Sequence, residues 1–359
     1  MRILQISSAR HFGGGERHLV DLISELANRG HEVFVAAVAD SPILAELPRG
    51  VSENLFELSS SNVLNYTKAL ALRRFARERD VEIVHAHMAR DYPLSALAVG
   101  NRSQARLIIT RHVLFPMNKL HRLTRGRVSR LIAVSESVAA SVRAQEIFRD
   151  DQIAVVLNGI DLTKFRPRVD DDSSSRLQVG ILGELTANKG QIEFVRVAEL
   201  VAGEIDNVEF IVAGRDNSSD GDYGRRLKDV IEASEFRDRI KLVESQVDVP
   251  QFLPTLDLLV SASQSEAFGL SVVEAMAVGV PVVATATDGA REIITDDTTG
   301  VLVPLRDSHE LAAAISRVLQ NREDRQRMSA NARRVATERY SLDRMVSQTE
   351  AVYHDALLG

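Results

Sequence analysis

Residues 257–285 read DLLVSASQSEAFGLSVVEAMAVGVPVVAT. Two short apolar runs, DLLVSA and VPVVAT, flank a helix-length segment, LSVVEAMAVG. Strands joined through a helix pair in parallel, because a tight turn cannot close a parallel pair. The same scheme continues outward. LQVGILG, VEFIVAG, RIKLVE and GVLVP read as further strands, with helical patterns at QIEFVRVAELVAGE and around YGRRLKDVIEAS. The first half repeats it with RILQIS, HEVFVAAV, EIVHAH, ARLIITRH and RLIAVS, separated by helical stretches such as RHLVDLISELANRG. This alternation predicts an α/β protein with parallel sheets and right-handed crossovers.

A chain of 359 residues is long enough for two cores. Between the halves lies FRPRVDDDSSSRL, polar and without periodicity, which reads as a linker. Its three aspartates are expected to be solvated, since acids in a flexible segment lack a formed cation cage. The expected units are 1–165, 166–340 and a closing helix over 341–359. The last stretch reads as helical throughout, with a break near Tyr340 and Ser341.

Composition excludes several functions. The chain is 45% apolar and 26% charged, the mix of an ordinary globular protein. Aromatic residues make up 5% and Trp is absent, which argues against stacking platforms for single-stranded nucleic acid. Without Cys there are no disulfides, thiolate metal sites or cysteine nucleophiles. MRILQISSAR reads as a strand rather than a signal peptide, and no apolar run reaches membrane-spanning length. Residues 1–165 hold 22 Lys+Arg against 17 Asp+Glu, net +5, and the remainder hold 22 against 33, net −11. That asymmetry predicts two units with different partners.

Four segments carry candidate chemistry. In HFGGGERHLVDL, Gly14 and Gly15 open a helix where a ligand can approach the backbone. The spacing is not a dinucleotide fingerprint, and an ordinary tight turn explains it equally well. His85 and His87 alternate on a strand and share a face. A zinc pair is conceivable, but no third ligand is evident, so packing and hydrogen bonding are the preferred reading. His112 falls just beyond a strand end, where open α/β sheets place ligands. In GELTANKGQIEF, Lys189 beside Gly190 at a helix start suits a phosphate.

The fourth segment is the loop and helix start within the opening stretch. The amides of Phe268, Gly269 and Leu270 make an anion site at a helix N-terminus. Glu266 and Glu274 cannot bind an anion and would take hydroxyls. A diphosphate on the amides, a ribose on Glu274 and a hexose on Glu266 together describe a nucleotide sugar. Ser271 to Glu274 is also a legal capping box, in which Glu274 merely reaches a backbone N–H.

SEAFGLSVVEAMAVGVPVVAT resembles the E-x-F-G-x-x-x-x-E signature of the family 4 retaining glycosyltransferases, which have the GT-B fold. HFGGGERHLVDL, EIVHAH, RHV, LIAVSES, VVLNGIDLTKF, DGAREII and TGVLVPLRD are similar to further segments of that family, in the same order. The resemblance covers nearly the whole chain. It implies two facing Rossmann-like domains with a C-terminal helix crossing back to the first, and retaining transfer without a metal or other cofactor. It also implies roles by position. Glu266 holds hexose hydroxyls, Glu274 the ribose, Lys189 and the backbone at Phe268, Gly269 and Leu270 the diphosphate. Gly14 and Gly15 approach the phosphates, and His112 lies near the reacting sugar. At the phosphate position where the family has Arg, this chain has Glu184, which repels the donor unless it turns away or pairs with Lys189.

The expected activity is therefore hexosyl transfer from a nucleotide diphosphate sugar to a glycan or lipid-linked hydroxyl acceptor, serving the cell envelope, with no nucleic acid partner. A catalytically weak sugar-nucleotide-binding protein, or an epimerase or phosphorylase on the same fold, are the competing readings. Residues 101–130 contain eight Lys+Arg and no acid, interleaved with Leu114, Phe115, Met117, Leu120 and Leu123. Either this is a solvated basic face, or it docks a cytoplasmic protein peripherally on an anionic membrane.

Overall fold

The computed structural model describes residues 1–58, 66–100, 104–167, 176–218, 220–244 and 247–359. The linker aspartates, Asp170 to Asp172, lie outside the described residues. The chain divides into two compact units, Met1–Gly159 with Leu342–Gly359, and Ile160–Ser341.

The first unit holds a seven-stranded sheet of β1 (Arg2–Ser7), β2 (Glu32–Val38), β3 (Leu55–Leu58), β4 (Ile83–Ala86), β5 (Arg106–Arg111), β6 (Val128–Ala133) and β7 (Ile153–Val155). Their order is β3-β2-β1-β4-β5-β6-β7, all parallel. The order reverses direction between β1 and β4, and in such sheets ligands bind outside the carboxyl ends at that crevice. Ile3, Val33, Val35, Ile83, Ile108 and Ile132 form the strand side of the core. Leu19, Leu22, Ile23 and Leu26 supply the facing stripe of helix Gly14–Asn28 at helical spacing.

The last helix, Leu342–Leu358, belongs to this unit and buries Met345, Val346, Tyr353 and Ala356. Arg29 clasps it through Glu350 and Asp343, the latter at 2.6 Å, and Arg130 pairs with Asp355 at 2.6 Å.

The second unit holds β8 (Leu177–Leu182), β9 (Val208–Ala213), β10 (Ile240–Val243), β11 (Leu258–Ser261), β12 (Val282–Thr285) and β13 (Val301–Val303). The order is β10-β9-β8-β11-β12-β13, again all parallel, with its reversal between β8 and β11. Phe194, Val197, Ala198 and Val201 of helix Gln191–Glu204 pack on Val179, Ile181, Phe210 and Val212. The closing helical stretch has one more break than the sequence suggested. Asn321 ends one helix at Gln320 and caps the next, Arg322–Arg339, by accepting the Asp324 N–H at 3.1 Å.

Candidate functional site

The carboxyl ends of β8 and β11 bring two distant segments together. After β8 a short 3-10 turn, Ala187–Lys189, leads into Gly190, whose left-handed φ of 74° turns the chain into helix Gln191–Glu204. The fully buried Gln191 holds this turn by donating to the Glu184 carbonyl at 2.9 Å. The β11 loop is sewn onto it. The Gln264 N–H donates to the Asn188 carbonyl at 2.8 Å, and Asn188 Nδ2 donates to the Ser265 carbonyl at 2.9 Å. Lys189 Nζ consequently donates to the Glu266 carboxylate, a pair whose side chains are 28% and 22% exposed. An ammonium and a carboxylate thus stand side by side at the crevice of the sheet.

Gly269 adopts φ +115°, a conformation that strains any L side chain, and is the N-cap of helix Leu270–Val278. The helix therefore starts ahead of Ser271, and Ser271 is not a cap. The capping explanation of Glu274 fails on that geometry. Glu274 is an interior helix residue, 4% exposed. A third loop locks the segment from the other side. The Gly289 N–H donates to the Glu266 carbonyl at 2.9 Å, and a Cβ at position 289 would lie 2.4 Å from the Phe268 oxygen.

Glu184 is exposed, and its Oε1 accepts from Asn217 Nδ2 at 3.1 Å. Of the two escapes open to this carboxylate, the first is the one seen: it turns to Asn217, while Lys189 takes Glu266. Beside it is an exposed cation that the sequence did not single out. The Leu185 N–H donates to the Arg215 carbonyl at 3.0 Å, which brings Arg215 at the end of β9 next to the β8 turn.

In the first unit, Gly13 caps helix Gly14–Asn28 and its N–H donates to Glu16 at 3.0 Å. Six residues separate β1 from that helix, so the three glycines open the helix without ending the strand. Gly15 faces His112, whose ring would lie 4.0 Å from an added Cβ. His18, His87 and His112 converge there, with ring centroids 5.0 Å apart for His18 and His112 and 6.0 Å for His87 and His112. His85 lies against His87, ring centroids 4.1 Å apart, but its nitrogens bond elsewhere, Nδ1 2.7 Å from the Tyr353 hydroxyl and Nε2 2.6 Å from Thr110 Oγ1. Burial holds all four imidazoles neutral, lowering His18 to about 4 and His85 to about 3, with His87 and His112 also well below the ordinary value. The expectation that His85 and His87 lack a third partner is corrected in part. His85 is a structural residue, whereas His87 gains two imidazole neighbours, one of them the unforeseen His18.

The basic stretch is partly spent inside the unit. Arg111 is buried and donates to the Phe115 carbonyl, Arg130 pairs with Asp355, and Met117 is buried. Arg122, Arg125 and Phe115 stay exposed, Phe115 by 73%. Arg102 and the side chains of Lys119, Leu120 and Leu123 lie outside the described residues. In the neighbouring helix Tyr66–Glu78, Arg73 bonds the Ala98 carbonyl at 3.0 Å and Arg74 pairs with Glu78 at 2.6 Å. A cavity of about 600 Å³ opens elsewhere in this unit, among Leu4, Arg73, Arg77, Val84, Val99 and Leu357, and none of the candidate residues lines it.

The family model described as Glycosyl transferases group 1 matches residues 168–335, and that described as Glycosyltransferase Family 4 matches residues 12–164. A phosphatidylinositol N-acetylglucosaminyltransferase subunit of Saccharomyces cerevisiae is 27% identical over 312 residues, which is 80% of this chain and 68% of that one. The N-acetyl-alpha-D-glucosaminyl L-malate synthase of Bacillus anthracis is 24% identical, over 94% of this chain and 92% of its own. Among solved structures, Anabaena HepE in complex with UDP and glucose superposes with a TM-score of 0.86 at 22% identity, covering 99% of this chain and 100% of that one. That match shows the fold, two sheets of parallel strands of the GT-B class.

Proposed function

The chain belongs to the family 4 glycosyltransferases of group 1, and from that premise we propose that it moves a hexose-type sugar from a nucleotide diphosphate sugar to a hydroxyl acceptor, with retention at the anomeric carbon and without a metal in the transfer step. The observation that carries this reading is the Lys189–Glu266 pair at the crevice between β8 and β11, beside the N-terminus of helix Leu270–Val278. An ammonium and helix amides suit the diphosphate, and carboxylates at Glu266 and Glu274 suit hexose and ribose hydroxyls. That HepE was crystallised with UDP and glucose supports a donor of this class.

The chemistry follows from charge. As the sugar–oxygen bond breaks, the anomeric centre becomes oxocarbenium-like and the diphosphate gains charge. Lys189 and the preorganised helix amides stabilise that growing charge. No carboxylate is assigned as a nucleophile, so the acceptor oxygen attacks from the face the diphosphate leaves. The departing phosphate oxygen takes the acceptor proton. The resemblance gives His112 a role near the reacting sugar. Product formation from a panel of nucleotide diphosphate sugars with hydroxyl acceptors tests the reading. Donor binding with no transfer to any acceptor would favour the competing reading, a sugar-nucleotide-binding protein of low turnover, which Glu184 motivates.

Because Glu184 is held by Asn217 and not by Lys189, its carboxylate opposes the donor only through space. Glu184→Arg is expected to tighten nucleoside diphosphate binding by roughly 10-fold, an Arg fork being matched to phosphate. Calorimetric titration measures it, and weaker binding in the variant would give Glu184 a positive role at the site.

We place the acceptor on a glycan or lipid. Among the described residues no helix is long and apolar enough to cross a membrane. The exposed Arg122, Arg125 and Phe115 are the remaining anchor for an anionic surface. Each basic residue near such a surface contributes about 1 kcal/mol at best. The protein should therefore float with anionic vesicles at low salt and detach at physiological salt. Equal recovery in the soluble fraction with anionic and neutral vesicles would assign the acceptor to a soluble glycan.

A further inference from the structure

We propose that His18, His87 and His112 form a binding site for a borderline divalent transition metal, zinc in the first instance, at the crevice of the first unit's sheet. The three residues come from three elements that meet at the reversal of strand order. His18 lies on the helix after β1, His87 follows β4 and His112 follows β5. One imidazole nitrogen from each lies within 4.8 Å of one from each of the others. In a tetrahedral zinc site, ligands at about 2.05 Å place neighbouring nitrogens roughly 3.3 Å apart. Small side-chain rotations close that difference.

The independent observation is a set of buried nitrogens with nothing to bond. His18 Nδ1, His87 Nδ1 and His112 Nε2 are all enclosed and have no hydrogen-bond partner among the described residues. An orphaned buried polar atom is costly, and one on each of three neighbouring rings indicates a missing common partner. Their charge state suits a metal, since buried neutral imidazoles offer lone pairs with little proton competition.

A hydrogen-bond chain from the C-terminal helix presents His87 as a ligand. Gln5 Nε2 donates to the Tyr353 hydroxyl at 3.1 Å, which aims Gln5 Oε1 at His87 Nε2, 2.7 Å away. A carbonyl oxygen only accepts, so His87 carries its proton on Nε2. Its lone pair is then on Nδ1, the orphaned atom. Metal-binding histidines characteristically donate their second ring N–H to a carbonyl in this way. His85 is excluded as a ligand because Tyr353 and Thr110 occupy both its nitrogens. Three imidazoles leave a coordination position open for water or a hydroxyl oxygen. An occupied site would cross-link three segments of the unit that are distant in sequence. This site does not depend on donor binding in the second unit, although it draws on His112, which the proposed transfer places near the sugar.

The test uses the full chain, stripped with a chelator and dialysed. Zinc alone should bind with one equivalent per chain and raise the melting temperature by mass action. Cobalt alone should give the visible absorption of a tetrahedral site, bleached by added zinc. His112→Gln, at the half-buried ligand, should lower zinc affinity by at least roughly 100-fold while keeping the native circular dichroism. Tyr353→Phe should lower it by about 10-fold through the supporting chain. His354→Gln, exposed and outside the cluster, should bind as the parent does. The absence of saturable binding to the parent at ~10 µM zinc, or undiminished affinity in His112→Gln, overturns the site.

Discussion

Lys189→Ala should lower kcat/KM by roughly 100-fold or more, the scale seen when one preorganised charge contact is removed from a transition state. The chemistry asks most of this residue. In the proposed transfer the leaving diphosphate gains charge, Lys189 is the cation paired with Glu266 at the crevice between β8 and β11, and Glu184 adds a carboxylate nearby. Lys189 is held in place by Glu266 and by the seam between the two loops. Stability should change little, because a partly exposed pair contributes only about 1 kcal/mol or less. Steady-state kinetics with an identified donor, paired with denaturant unfolding, separates the two effects. Unchanged kinetics would remove Lys189 from the site. A large loss of stability with normal kinetics would make the pair a structural clasp.

Gly289→Ala should press a damaging methyl group against the site. The added Cβ would lie 2.4 Å from the Phe268 carbonyl oxygen, 2.7 Å from the Phe268 nitrogen and 2.8 Å from the Glu266 carbonyl oxygen. All three are backbone atoms, so no side chain can swing aside. The loop carrying Glu266 and Phe268 must shift, and overpacking of this kind costs about 1–3 kcal/mol. Because that loop supplies both the acid proposed to face the hexose and the helix entry, donor affinity should fall at least roughly 10-fold along with stability. Calorimetric titration and chemical denaturation measure the two losses. Normal donor affinity in a destabilised variant would separate the Glu266–Phe268 loop from the donor.

All six strands of the second unit were legible in the sequence, down to the three residues of β13, VLV, at the sheet edge. In the first unit β3 and β7 escaped notice. They are short, LFEL and IAV, lie at the two edges of the sheet, and are incompletely buried, so neither carries a strong apolar pattern. The break at Asn321 was hidden because it falls within a polar, charge-rich helical run.

The candidate residues could be named one by one from the sequence, but not how they assemble. The pattern Ser271-Val-Val-Glu274 imitates a capping box. Gly269 overrides it, since only a glycine accepts φ +115° without strain and the helix therefore starts sooner. Lys189 and Glu266 meet across 77 positions of sequence, which spacing cannot reveal. His18 went unnoticed for the same reason. Only the order β1-β4-β5 brings its helix against the residues after β4 and β5. The basic stretch showed the opposite error, because Arg111 is buried and Arg130 is neutralised by Asp355 on the last helix.

Backbone hydrogen exchange with and without a saturating nucleotide diphosphate sugar tests the central claim most directly, because it reports where the donor sits whether or not turnover follows. The account predicts donor-dependent protection at residues 183–190 and 264–270, together in the second unit, and its loss in Lys189→Ala at the same donor concentration. Protection confined to other segments by a donor that demonstrably binds would contradict it.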